Sequence, residues 1–175
     1  MSFKIFKYFI GDTFNDNELK KIIDTAYFKF REPNIIDVKI LDHISYVQLH
    51  HGPTLAFKDI AMQVLGGMYE LLLKSENIKI NLVTATSGDT GAAAIDAIKD
   101  KKNVNIFVLH PHNKISSVQR QLMTTCNAEN VFNIAIKGSF DDCQKIVKDM
   151  FVDQDFANKI NTVSYTHLRA HETRI

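Results

Sequence analysis

Between residues 80 and 151 the sequence changes period several times, and that alternation restricts the chain to few folds. Apolar, β-leaning runs at 80–85 (INLVTA), 104–109 (VNIFVL) and 131–136 (VFNIAI) are each followed by helical spacing, at 92–99, at 115–125 and from 138 through Met150. Ser116 or Ser117, and the Gly138-Ser139-Phe140-Asp141-Asp142 segment, mark helix starts, because their oxygens can hold first-turn amides. Strands that alternate with helices pair in parallel, since each helix carries the chain back across the sheet and then covers it. The sequence therefore predicts an α/β fold that binds small molecules in the loops at the C-terminal ends of its strands.

Ahead of that region, residues 49–73 read LHHGPTLAFKDIAMQVLGGMYELLL. From Leu55 onward Ile60, Val64, Leu65, Met68, Leu71 and Leu72 recur at three- and four-residue intervals, which predicts a helix buried on a broad face. Pro53 fits its start, because first-turn amides have no partner inside a helix. Lys58 is then the anomaly: a lysine among Leu55, Ala56 and Phe57, one turn inside the helix, either snorkels to water or uses its amine. Desolvation weakens an amine's hold on its proton, and a neutral amine can form a Schiff base with an aldehyde. Further upstream, Leu19, Ile22, Ile23, Ala26 and Tyr27 predict a helix within 12–30, capped by Asp16 or Asn17. Residues 44–49 read as a strand running into the His51-Gly52-Pro53 turn.

The Thr86-Ser87-Gly88-Asp89-Thr90-Gly91 turn joins a strand to an alanine-rich helix. Such a turn presents amides and hydroxyls at a helix N-terminus, the physical form of an anion or cofactor cradle. The spacing Gly88-xx-Gly91 fails the GxGxxG pattern of a dinucleotide site at its first glycine. Alanines 92, 93, 94 and 97 let the helix lie close to its sheet, which needs no ligand.

Taken together, HGPTLAFKD at 51–59 and ATSGDTGAAA at 85–94 resemble the threonine synthase family, and LHPHNKIS at 109–116, Gln119 and GSFDDCQ at 138–144 follow in the family's order. The resemblance implies the three-layer, open, mostly parallel sheet of the tryptophan synthase β-like, fold type II pyridoxal-phosphate enzymes, incomplete here. It implies pyridoxal 5'-phosphate as cofactor, with the Schiff-base lysine at Lys58. The implied reaction turns O-phospho-L-homoserine and water into L-threonine and phosphate: phosphate leaves Cγ, water adds at Cβ, and the Lys58 amine moves protons. Ser87, Gly88, Asp89, Thr90 and Gly91 match the loop that contacts cofactor and substrate, with Ser87 and Thr90 toward the substrate. Asp89, usual in this branch, stands where related enzymes often carry Asn. Asn113 and Lys114 lie in a motif that shapes the phosphate-bearing side of the substrate. A serine/threonine dehydratase-like lyase is the alternative reaction, and an inactive ligand-binding fragment is the alternative class.

Composition bears on what else the chain could do. Twenty-one basic and 20 acidic residues leave a formal charge of +1, no field for nucleic acid or an acidic membrane. No apolar run approaches the ~18 residues of a membrane span. MSFKIFKYFIGD lacks the longer apolar core and the cleavage site of a signal peptide, so a cytoplasmic protein with a small-molecule partner is expected. Cys126 and Cys143 lack CxxC spacing and read as buried thiols, and His110 and His112 read as a loop because no third metal ligand accompanies them. The chain divides into 1–50, an N-terminal region; 51–163, part of a catalytic domain; and 164–175, SYTHLRAHETRI, a lysine-free stretch that reads as foreign to the gene. The family's glycine-rich loop for the cofactor phosphate lies further downstream, so this polypeptide alone is expected to be inactive and to lack a cooperative melt.

Overall fold

The computed structural model describes residues 1–164. The stretch set apart at 164–175 thus lies outside the described residues, Ser164 excepted. The chain opens with α1 (Ser2–Ile10) and α2 (Asp16–Phe28). Asn15 caps α2 in a reciprocal box with Glu18, one residue ahead of the expected Asp16 or Asn17, because the box needs its acceptor three residues before the glutamate. Next comes an antiparallel hairpin of β1 (Asp37–Leu41) and β2 (Ile44–Gln48), turning at Asp42 with φ +52. Only β2 is legible in the sequence: β1 gains its order from pairing, and both strands are exposed along nearly all their length.

The helix α3 (Asp59–Ser75) starts later than its apolar spacing predicts. Leu55 takes φ +62, which no helix accommodates, and the Asp59 carboxylate folds back to accept from the Thr54 amide (2.8 Å) and hydroxyl (2.7 Å). Residues 53–58 therefore form turns, and Lys58 is the N-cap residue of α3, not a residue one turn inside it. The buried residues of α2 pack with Val64 of α3 in one core cluster.

From here strand and helix alternate as expected: β3 (Ile80–Ala85), α4 (Asp89–Ile98), β4 (Val104–Pro111), α5 (Ser117–Thr124), β5 (Val131–Ile136) and α6 (Phe140–Val152). A short α7 (Gln154–Lys159) leads to β6 (Thr162–Ser164). The four strands β3 to β6 form a parallel sheet in the order β5-β4-β3-β6. β4 runs two residues past its expected end because β5 continues beside it to the Pro111–Ile136 pair. Ser116 and Ser139 cap α5 and α6 in boxes closed by Gln119 and Asp142.

Apolar residues on the two faces of the sheet make two cores. On one face Leu82, Ile106 and Val108 pack with Leu73 of α3, Ile95 and Ile98 of α4, and Met123 of α5. On the other, Val83, Ala85 and Leu109 pack with Cys143 and Val147 of α6. The chain thus has the three layers of an α/β fold, helices on both faces of a parallel sheet. Tyr8, Phe9, Phe28, Ile40 and Leu41 are large apolar side chains left on the surface.

Candidate active site at the C-terminal edge of the sheet

Strand order locates the site. From β3 the chain steps to β4 and β5 on one side, then returns by α6 and α7 to place β6 on the other side of β3. The direction of winding therefore reverses beside β3, and a crevice opens outside the strand ends at such a reversal. The turn that follows β3 is 86–91.

Thr86 organises that turn. Fully buried, its hydroxyl oxygen accepts from the amides of Gly88 (3.0 Å) and Gly91 (2.8 Å), while its own amide donates to Leu109 on β4. The glycine amides are thus held internally. Among the described residues, the amides of Ser87, Asp89 and Thr90 have no backbone or side-chain acceptor, and they stand where α4 begins. Gly88 adopts φ 141, ψ −81, and a Cβ there would collide with the side chain of Gln119. Gln119 closes the α5 capping box by accepting from the Ser116 amide, and it also donates to the Asp89 carboxylate at 2.7 Å, tying the turn to the helix after β4. Ser87 and Asp89 are exposed, while Gly88, Thr90 and Gly91 are buried.

Lys58 reaches the same edge by helix packing. Gln63 of α3 donates to Asp96 of α4 at 2.7 Å, Gly66 lies against the backbone of Ala97, and Asn103 donates to the Leu73 carbonyl. Rising numbers on α3 meet rising numbers on α4 and its exit, so the helices run side by side in the same direction and start at the same edge. Lys58 is 9% exposed, and its Nζ lies 4.4 Å from the Phe57 ring centroid. Of the two fates the sequence leaves open for this lysine, the structure shows burial.

The residues around Lys58 hold the turn in place. Asp59 is fully buried, and burial raises its carboxyl above the usual range while the Thr54 hydrogen bonds oppose the rise. A Cβ on Gly52 would overlap the Asp59 side chain, so the backbone can pass there only as glycine. His51 Nε2, in the same motif, is buried without a hydrogen-bond partner.

Asn113 and Lys114 follow β4 at the same edge, Asn113 with φ +57, and both are exposed. Lys114 sits toward α6: the carboxyl of Asp142 is held low mainly by the amide and hydroxyl of Ser139, and the charge of Lys114 adds to the effect. The structure therefore brings Lys58 and 86–91 to one edge and sets Lys114 on its β5 side. Thr86, Thr54 and Asp59 are organising residues that the sequence reading did not single out. A threonine directly before a glycine-rich turn was the available signal for Thr86, since its hydroxyl can satisfy amides that the turn leaves open. Among the described residues no group of three or more His, Cys, Asp or Glu could hold a metal, and no helix is long and apolar enough to cross a membrane. Cys143 is buried and its thiol is pushed up by burial, whereas Cys126 is half-buried.

The sheet order, the buried lysine before α3 and the turn before α4 define the fold of the type II pyridoxal-phosphate enzymes. A hydrogen sulfide-producing enzyme from Fusobacterium nucleatum shares that fold at 16% identity, with a TM-score of 0.51 over 82% of this chain and 44% of its own. More narrowly, the chain is a homologue of the threonine synthases over nearly its whole length. It is 39% identical over 176 residues to threonine synthase from Pseudomonas aeruginosa, which spans 97% of this chain and 38% of that protein. The solved PLP-bound threonine synthase from Brucella melitensis superposes with a TM-score of 0.86 at 37% identity, over 93% of this chain and 35% of its own. No protein-family model matches the chain.

Proposed function

We propose that the protein carrying this chain is a threonine synthase, converting O-phospho-L-homoserine and water to L-threonine and phosphate with pyridoxal 5'-phosphate. The observation that carries this reading is a nine-tenths buried lysine placed at the same sheet edge as a turn with three unpartnered amides, in a chain homologous to threonine synthases. The residues present fit an anionic, aromatic aldehyde. Lys58 offers a buried amine, His51 Nε2 is an orphaned buried polar atom in the same motif, and the amides at the start of α4 favour negative charge.

Pyridoxal phosphate, when bound, supplies an electron sink for charge developing at the substrate carbons. On this reading Lys58 holds the cofactor and moves protons at the substrate Cα and Cβ. The amides of Ser87, Asp89 and Thr90, with the Ser87 and Thr90 hydroxyls, bind and orient the substrate carboxylate. Gly88 and Gly91 let the backbone come close, with Asp89 fixed by Gln119. Asn113 and Lys114 bound the substrate's phosphate side. Residues 51–163 are part of the catalytic unit, 1–50 its N-terminal approach, and the protein is cytoplasmic, engaging neither membrane nor nucleic acid.

Two measurements test this. The protein expressed from its own gene, incubated with phosphohomoserine, should release threonine and phosphate in equal amounts; a keto acid and ammonia from serine or threonine would select a dehydratase instead. Borohydride reduction followed by peptide mapping should leave a pyridoxyl mass on Lys58 and none in Lys58→Ala. Label on Lys74 or Lys114 would refute the assignment.

A further inference from the structure

Among the described residues three helices start with a reciprocal capping box, and two of the boxes are closed by a carboxylate, Glu18 in α2 and Asp142 in α6. An acid suits that position, since it accepts from the N-cap amide and sits at the positive end of the helix. The box of α5 is closed by Gln119 instead, and α5 has no acidic residue in its first turn, where α2, α3, α4 and α6 each have at least one. A glutamate would close the α5 box as well, so the cap by itself does not explain the amide.

Asp89 explains it. Gln119 Oε1 accepts from the Ser116 amide at 3.3 Å and from its hydroxyl at 3.0 Å, while Nε2 donates to the Asp89 carboxylate at 2.7 Å. The amide group lies against the turn, with Cδ, Oε1 and Nε2 all within 2.6 Å of where a Cβ on Gly88 would stand. Turned over, it would set Nε2 against the Ser116 amide and Oε1 against the carboxylate, donor facing donor and acceptor facing acceptor. One orientation alone satisfies both sides. A carboxylate in its place would keep the Ser116 contacts and meet Asp89 as a like charge.

We infer that Gln119 is a positioning residue for the reaction proposed above, on which the inference rests: its amide sets the separation between the turn that takes the substrate's carboxylate and the turn that bounds its phosphate. On one side Asp89 lies among the open amides of Ser87, Asp89 and Thr90; on the other Ser116 follows Lys114 by two residues. A substrate with an anion at each end meets both turns at once, and a separation fixed beforehand spares it the cost of ordering them on binding. Gln119 needs no contact with the substrate to do this.

Four forms of the complete protein test this: wild type, Gln119→Glu, Asp89→Asn and the double variant. Beside Asp89, Gln119→Glu should raise KM for phosphohomoserine about tenfold while changing kcat by less than about threefold, because it turns a charge-assisted bond into a repulsion away from the reacting atoms. In the Asp89→Asn background the same change should leave KM unchanged or lower it, since the asparagine Nδ2 can donate to the new carboxylate. That reversal separates a bond between two side chains from a general loss of stability, whatever Asp89 itself does in the reaction. Hydrogen exchange at 87–90 and 113–116 should follow the same pattern, faster in Gln119→Glu than in wild type and no faster in the double variant than in Asp89→Asn. Should Gln119→Glu fail to fold, the comparison of Asp89→Asn with the double variant decides alone. An equal rise in KM in both backgrounds, or a KM that Gln119→Glu leaves unchanged, would overturn the inference. No turnover by wild type would refute the proposed reaction and with it the spacing of its substrate, while the exchange pattern would still show whether Gln119 joins the two turns.

Discussion

Replacing Thr86 by valine removes one oxygen and almost no volume, which isolates what the turn at 86–91 depends on. That oxygen accepts from the buried Gly88 and Gly91 at 3.0 and 2.8 Å, and no other acceptor for these two amides is present among the described residues. An unpartnered buried donor costs roughly 1–3 kcal/mol, so the pair costs roughly 2–6 kcal/mol. Serine is the matched control. It keeps the oxygen and loses a methyl group packed so tightly that a Cβ on Gly91 would lie 2.5 Å from it, a loss of about 1 kcal/mol. At ~2–4 °C per kcal/mol for a cooperative unit of 150–250 residues, Thr86→Val in the complete protein that carries this chain should lower Tm by roughly 4–24 °C and Thr86→Ser by only about 2–4 °C. Thermal melts of the three proteins at one ionic strength read this directly. In the valine variant the exchange of the Gly88 and Gly91 amides should also accelerate relative to the α4 interior. If valine melts as high as serine, or if serine falls as far as valine, the hydroxyl is not what holds the turn and the argument fails.

Other outcomes follow from the same geometry. Burial raises the Asp59 carboxyl above 3.8, so the folded chain binds that proton more tightly than the unfolded chain, and stability falls as pH rises from 3.8 through the folded value. Urea unfolding of the complete protein between about pH 3 and 7 should therefore show wild type losing stability relative to Asp59→Asn within that window; a flat difference would contradict the assignment. Gly88→Ala, at φ 141, should cost ~1–3 kcal/mol in backbone strain, and adding Gln119→Ala should recover only the part due to the side-chain collision. Full recovery would show that strain contributes nothing. Because the chain spans 38% of its Pseudomonas relative, the 175-residue polypeptide by itself should release no phosphate from phosphohomoserine; measurable turnover would refute that expectation.

The parallel sheet was legible because buried strands such as INLVTA and VNIFVL are apolar on both faces and are separated by helical patterns with visible caps. The order of the strands was not legible. Nothing in Thr162-Val163 announces that this segment crosses to the far side of β3, since three residues carry too little pattern. Lys58 was conspicuous as a charge in an apolar run, yet its setting was misread, because apolar spacing continues through residues 55–58 while the backbone there is bent by Leu55 and by the Asp59–Thr54 contacts. Side-chain-to-backbone bonds of this kind leave no periodic trace. They also explain why Thr86 went unremarked beside the more obvious glycines.

The placement of β6 has a consequence for how the chain is made. Asn81 and Thr162, which meet across β3 and β6, are 81 positions apart, and everything between them is synthesised first. At ~5–20 residues per second, the 51 positions from Pro111 to Thr162 leave β3 roughly 3–10 s with one edge unpaired after β4 can already have joined the other. An open parallel edge invites pairing with another nascent chain. Asn81 lies on that edge, where its side chain later donates to the Ile160 carbonyl, and a polar group there keeps the waiting edge hydrated until its own strand arrives. Its replacement by valine, which keeps the backbone ladder but gives up the Ile160 and Asn105 hydrogen bonds, should lower the yield of folded protein by more than its effect on the melting of the purified protein accounts for.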